Sequence, residues 1–446
     1  MMADISTLPL DILYLIFLNT LPSQILVFRT SVSFLNVSPV NLLSVCRAWR
    51  SVVLSRPSLW TFIQVKQIPS DSRLHDDPLD PPALRALESW VKHSGTSPMN
   101  IRLQLSQIRN EQVYRTLLRL FLPESHRCTD IDISVECCGA HATRSMREHP
   151  SPVAIQCAPS TKSVRLVFQD LQQAEPPVTW APFSLASCTV DAVSQLQVLD
   201  LYYNVKCLFP ERRDDLHLPN LRDLSICIDV SDRVAVSDLS TLLSACPVLS
   251  VLSIGSRGKS FNSFDTGPRS VPLPFLASFT FTSTDQAFAN HLLSVLACPA
   301  LRKCNLVAQM SMGPVTPEYL HVVAQFLSCD GTVAYPPLVD LCLRFWEPED
   351  SLTEYLLNKC SLKLMKLLDR VRHLERLRLF DVVVRPELIR AMTFVPGTEC
   401  SGVMCPRLEC LHIKSRAGYA SLKNLLHEMK SSRSNLSSPL SELRDE

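Results

Sequence analysis

Apolar positions along the chain follow a helical period near the N-terminus and a strand period through most of the rest. Behind Leu8-Pro9-Leu10-Asp11, the residues Ile12, Leu13, Ile16 and Phe17 recur at helical spacing. They predict a first helix with Pro9 in its opening turn, where amides lack partners and proline costs little. Ser38-Pro39 predicts the start of a second helix, in which Leu42, Val45, Cys46, Trp49 and Val53 form one stripe and Arg47 and Arg50 take the wet side. A long apolar connection, residues 18–41, separates the two and is expected to form an enlarged loop or an extra helical turn. After Pro57-Ser58-Leu59-Trp60, residues 61–65 predict a short strand, and the Pro-, Asp- and Ser-rich residues 68–82 a linker. A helix over 82–92 (Leu84, Leu87, Trp90, Val91), an alternating strand over 99–105, a helix over 113–121 and a strand over 131–133 follow.

From about residue 190 a motif recurs: Pro-x-Leu-x-x-Leu-x-Ile. Its copies carry Leu221, Leu224 and Ile226; Leu249, Leu252 and Ile254; Leu276, Phe279 and Phe281; Leu301, Cys304 and Leu306; Leu338, Leu341 and Leu343; Leu374, Leu377 and Leu379; and Leu408, Leu411 and Ile413. Leu196, Leu199 and Leu201 form an earlier copy without the proline. Each copy ends in alternation, as in a strand with one buried side. Amphipathic helices lie between copies: one capped by Ser237 and carrying Leu239, Leu242, Leu243 and Cys246; one opened by Thr316-Pro317 with Leu320, Val323, Ala324 and Leu327; and one with Leu422, Leu425, Leu426 and Met429. Strand, helix, parallel strand at roughly 25–37 residues per unit predicts an α/β array of stacked repeats. A different α/β fold with a parallel sheet fits the same pattern. The Ser-rich tail, residues 431–446, is expected to be disordered.

The N-terminal helices are too short to be stable alone, so their large apolar residues require either the rest of the chain or another protein. Their pattern, Leu8-Pro9-Leu10-Asp11-Ile12-Leu13 followed by Val45-Cys46-Arg47-Ala48-Trp49-Arg50 and Pro57-Ser58-Leu59-Trp60, resembles the F-box, a helical module that docks on the Skp-type adaptor of SCF ubiquitin ligases. The long connection departs from the family, whose first two helices are joined more briefly. The resemblance implies adaptor contacts from Leu8, Pro9, Ile12, Leu13, Ile16, Phe17, Leu42, Val45, Cys46, Trp49, Leu59 and Trp60, and a cullin reached through the adaptor. The downstream motif resembles an irregular leucine-rich-repeat solenoid of the kind common beside F-boxes, with the consensus Asn mostly missing. The domains expected are therefore an F-box-like module over 1–65, a linker and connecting helix over 66–98, a leucine-rich-repeat-like domain over 99–430 and the tail.

Composition narrows the chemistry. Of 446 residues, 46% are hydrophobic and 20% charged, and the net charge of +1 offers no electrostatic case for nucleic acid or an anionic membrane. Neither a secretory signal nor a run of about 20 apolar residues is present. With 17 cysteines, this points to free thiols in a reducing compartment, cytoplasmic or nuclear. Cys246-Pro247, Cys298-Pro299 and Cys405-Pro406 recur in phase with the repeat, as buried small hydrophobes at helix ends would. Cys137-Cys138 with His141 and His149 matches no usual zinc spacing. Gly255-Ser256-Arg257-Gly258-Lys259-Ser260 has too few residues between its glycines for a phosphate loop and is expected to be a solvated turn. No cofactor is expected, and no hydrolase, metalloprotease or kinase signature occurs.

The position between the last two apolar residues of each copy is Asp200, Ser225, Ser253, Thr280, Asn305, Cys342, Arg378 and His412 in turn. On a solenoid this row faces the concave side, where targets commonly bind. Asn305, Arg378 and His412 are the target-binding candidates, Arg378 and His412 being expected side by side as a grip for an acidic or phosphorylated segment. The alternative, which the residues favour, is an ordinary wet face. The function expected is that of a non-catalytic substrate receptor for a ubiquitin ligase. The alternative is an adaptor-binding scaffold acting outside a ligase.

Overall fold

The protein is known from a computed structural model that describes residues 8–20, 26–28, 39–67, 81–108, 111–137, 153–170, 183–184, 193–202, 217–230, 233–258, 270–309, 317–327, 337–345, 354–382, 384–394, 403–414, 419–434 and 440–445. It is an α/β protein with a large parallel sheet, and its chain divides into two compact units, residues 1–221 and 222–446.

The first unit begins with helix α1 (Leu10–Thr20), strand β1 (Leu26–Phe28), a 3-10 turn (Val40–Ser44), α2 (Arg47–Ser55) and a second 3-10 turn (Pro57–Trp60). Strand β2 (Phe62–Gln67), α3 (Pro81–Ser94), β3 (Met99–Ile108), α4 (Glu111–Phe121), β4 (Cys128–Cys137), β5 (Ser163–Asp170) and β6 (Val198–Tyr202) complete it. Strands β1 to β6 pair in chain order, every neighbour parallel. Alternation explains the strands: Ile63 and Val65, Ile101 and Leu103, Ile131 and Ile133, and Val164 and Leu166 are buried on one face. The expected enlarged loop between the first two helices contains strand β1, paired with residues 65–67. The sheet therefore starts well before residue 99.

The second unit alternates strand and helix: β7 (Asp223–Asp229), α5 (Arg233–Ser244), β8 (Val251–Arg257), β9 (Ser278–Ser283), α6 (Gln286–Val295), β10 (Lys303–Ala308), α7 (Pro317–Phe326), β11 (Asp340–Phe345), α8 (Glu354–Arg370), β12 (Arg376–Phe380), α9 (Pro386–Met392), β13 (Cys410–Lys414), α10 (Tyr419–Arg433) and β14 (Glu442–Asp445). These eight strands also pair in chain order and all parallel. The motif supplies the register: Leu224, Leu252, Phe279, Cys304, Leu341, Leu377 and Leu411 lie opposite one another across neighbouring strands, and all are buried. Burying one apolar side per strand requires a covering layer, and α6, α7 and α8 pack on one another in sequence.

Three expectations are corrected in this unit. Helix α5 starts at Arg233, four residues ahead of Ser237, which lies inside it. The tail is ordered through residue 434 and again over 440–445: Arg433 is fully buried, and β14 pairs with β13. Ser256, assigned to a solvated turn, is a buried residue of β8 whose hydroxyl bonds Ser283 Oγ at 2.6 Å. Cys246, Cys298 and Cys405 are buried as expected, the first two just beyond α5 and α6. Cys405 does not follow directly on α9 but lies beside it, the Met404 amide donating to the Ala391 carbonyl at 3.0 Å, and it occupies a left-handed conformation (φ 48°) held by the Arg433 guanidinium. That guanidinium also donates to the carbonyls of Met392, Met404 and Leu408.

Candidate functional site

Two surfaces carry the candidate residues. The first is the helical module at the N-terminus. Pro9 opens α1, its carbonyl accepting from the amides of Ile12 and Leu13, and Asp11 in the first turn suits the helix dipole and pairs with Arg56. Leu13 and Phe17 point inward, each 1% exposed, and Phe17 meets Trp49 edge-on at 4.8 Å. Tyr14 shares a 2.8 Å hydrogen bond with Ser58, and Arg56 lies over the Tyr14 ring.

The second predicted helix is broken in two. Cys46 is extended (φ −157°, ψ 171°), so the Val40–Ser44 turn and α2 are separate pieces, and Arg50 Nε satisfies the Leu43 carbonyl left at the break. The break turns Val45 and Cys46 outward while Val52, Val53, Leu59 and Trp60 are buried. Trp60 Nε1 donates to Val53 O at 2.8 Å, and Trp90 Nε1 of α3 donates to Trp60 O at 3.0 Å with the rings 5.4 Å apart. Those bonds anchor the module to α3.

The twelve predicted docking residues thus fall into two groups. Leu13, Phe17, Leu59 and Trp60 are buried in the module, and Leu8, Leu42 and Trp49 are partly so. The four buried ones support the surface from within. Pro9, Ile12, Ile16, Val45 and Cys46 are exposed. Ile12 and Ile16 sit about 100° round the helix from Leu13 and Phe17, one residue's rotation, so one predicted stripe divides into an inner and an outer face. Sequence reasoning missed Leu10 (54% exposed), Leu15 (49%), Leu18 and Leu54, which are also outward. The signal was present: in residues 10–20 only Asp11, Asn19 and Thr20 are polar apart from Tyr14, too few for a helix with one wet face.

The second surface is the polar face of the second unit's strands. Ser225, Ser253, Thr280, Asn305, Cys342, Arg378 and His412 stand opposite one another in an unbroken row, as expected, and Arg444 of β14 extends it. Asn305 is half-buried and its Oδ1 has no hydrogen-bond partner. Arg378 and His412 are neighbours, but Arg378 is already engaged by Asp340, with a 2.9 Å contact from its terminal nitrogen. His412 stands edge-on to Phe380 at 4.8 Å. Arg378 and His412 thus stand side by side, the first in an ion pair and the second in a ring contact. Cys342 is buried here, and that burial pushes its thiol pKa up despite the opposing pull of Arg378 and Arg344.

The polar face of the first unit is arranged differently. Arg102, Asp132, Arg165 and Asp200 alternate in sign across four strands, and Arg102 Nε bonds Asp132 at 3.1 Å. Burial raises the Asp132 pKa, with both arginines opposing it.

Among the described residues no three His, Cys, Asp or Glu side chains gather as a metal site, and no helix is long and apolar enough to cross a membrane. Of the Cys137-Cys138, His141 and His149 group, only the Cys137 backbone belongs to the described residues. Comparison with protein-family models and with curated proteins found no match.

Proposed function

We propose that the chain is a non-catalytic substrate receptor of an SCF-type ubiquitin ligase, with an F-box-like module that holds a Skp-type adaptor and a leucine-rich-repeat-like domain that holds a target. The observation that carries this reading is the outer face of α1, where Leu10, Ile12, Leu15, Ile16 and Leu18 are exposed above the buried Leu13 and Phe17. Ile12, Leu15 and Ile16 are neighbours at three- and four-residue spacing, the pattern by which one helix packs on another. Covering such side chains is worth about 1.5–3 kcal/mol each when complete, so the face favours a helical partner. The parallel array supports the second half, since the register lines up a row of mostly polar positions along one side of the second unit's strands. Transfer of ubiquitin would then follow from proximity, the receptor raising the target's effective concentration near other subunits' chemistry.

Co-purification from cells, with blotting for the adaptor and a cullin, tests this. Both proteins should be retained by the wild-type chain and lost with Ile12→Asp and Ile16→Asp. Adaptor without cullin would favour a scaffold outside a ligase, and neither protein would refute the reading.

A further inference from the structure

Strands β11, β12 and β13 carry a polar face more charged than that of β8 and β9. Their outward positions are Asp340, Cys342 and Arg344; Arg376, Arg378 and Phe380; and Cys410, His412 and Lys414. Four are Arg or Lys and one is a carboxylate, Asp340, which Arg378 occupies. The corresponding positions of β8 and β9 are Val251, Ser253, Gly255, Ser278, Thr280 and Thr282, all uncharged. Arg344 and Arg376 are exposed. Arg344 stacks its guanidinium over the Phe380 ring at 4.6 Å from the centroid. A stacked guanidinium keeps its edge free for a carboxylate while its side chain is ordered in advance. Asp381, whose amide donates to the Lys414 carbonyl, and Glu442 of β14, opposite Cys410, add two more acids at the border of the face, so the exposed positive charge of β11 and β12 rests on Arg344 and Arg376.

We propose that this face binds an extended acidic peptide, with Arg344 and Arg376 each receiving one carboxylate and an apolar side chain between them resting over Cys342, midway along β11. The proposal rests on reading the repeat as a target-binding domain and deepens it. Register sets the spacing. Arg376 stands opposite Asp340, four residues before Arg344 on β11. Strand rise and separation therefore place the two arginine positions about 14 Å apart. An extended peptide spans nearly that distance between residues i and i+4, which share a face with i+2. A nucleic acid fits less well, because the chain's net charge is only +1 and the cations are confined to a few strands.

The test uses the full-length chain and fluorescent peptides in low salt. One peptide is Ser-Glu-Ser-Leu-Ser-Glu-Ser, the second has Gln for both Glu, and the third places the two Glu side by side. The spaced acidic peptide should bind about tenfold more tightly than either control. Arg344→Gln with Arg376→Gln should erase that preference, while Lys423→Glu with Lys430→Glu, on the exposed side of α10, should keep it. Equal affinity for all three peptides would overturn the proposal. So would an equal loss in both variants, or tighter binding of a single-stranded oligonucleotide run alongside. Adaptor binding measured on the same samples separates the two readings, since it depends on α1 and not on these strands.

Discussion

Helix α1 and the repeat strands are made of the same kinds of residue and end in opposite states. In the second unit the paired motif positions, from Leu224 and Ile226 to Leu411 and Ile413, are all buried. In α1, eleven residues long, Leu13 and Phe17 are buried while Leu10, Ile12, Leu15, Ile16 and Leu18 remain exposed. A period-2 strand covered by a helix layer satisfies its apolar side within the chain. A helix apolar all round satisfies only the side that meets its neighbours. The difference separates strands whose apolar side is covered within the chain from a helix that leaves apolar side chains exposed.

The sharpest way to break the comparison is to damage the covered side. Arg433 is fully buried and its guanidinium donates to four backbone carbonyls. Arg433→Ala leaves those acceptors unpaired, and we expect a loss of about 3 kcal/mol or more, read as a lowered denaturation midpoint. Adaptor binding through α1 should persist under native conditions. The outer face should behave in the opposite way. Ile12→Asp with Ile16→Asp should cost about 2 kcal/mol or more in adaptor affinity and almost nothing in stability. Leu13→Ala, four residues from Phe17 on the inner side, should destabilise the module itself, seen by hydrogen exchange over residues 10–20.

Smaller effects refine the account of the buried core. Cys246→Ala should cost about 1 kcal/mol and Cys246→Asp far more, because a buried unpaired charge is expensive. Burial pushes the Cys246 and Cys405 thiols up to about 12, from an ordinary value of 9.0. Both should resist alkylation at pH 8 until the chain unfolds. A raised folded-state pKa means the contribution is complete below about pH 9 and drains away between about 9 and 12, so an alkaline titration of stability should fall in that window. The smallest effect is expected at the alternating charges of the first unit, where Arg102→Gln should cost about 1 kcal/mol or less, since Arg102 is half-exposed.

The strand array was legible because its signal is local. The Pro-x-Leu-x-x-Leu-x-Ile spacing fixes which side of each strand is buried, and parallel pairing repeats that choice. One copy was overlooked: Leu440 and Leu443 carry the spacing, but Pro439 sits one residue too close to Leu440, and the Ser-rich stretch before it and Asp445 at the usual Ile position hid it. Backbone bonds from Ser441 and Glu442 to the Glu409 carbonyl hold that strand, and no side-chain pattern advertises them. The outer face of α1 was half legible. Periodicity marks Ile12, Leu13, Ile16 and Phe17 as apolar, but which of them turn inward depends on where Trp49 and Ser58 lie, contacts more than thirty residues away in sequence. The break at Cys46 was invisible for the same reason. On the strand face, the row containing Arg378 and His412 followed from the register, whereas the Asp340 contact joins residues 38 apart and required the fold.

The most direct test is a calorimetric titration of the full-length chain with a purified Skp-type adaptor, wild type against Ile12→Asp with Ile16→Asp, with circular dichroism melts of both. The account predicts saturable one-to-one binding by the wild type and its loss in the variant at an unchanged melting temperature. Equal binding by the two proteins, or none by a folded wild type, would contradict it.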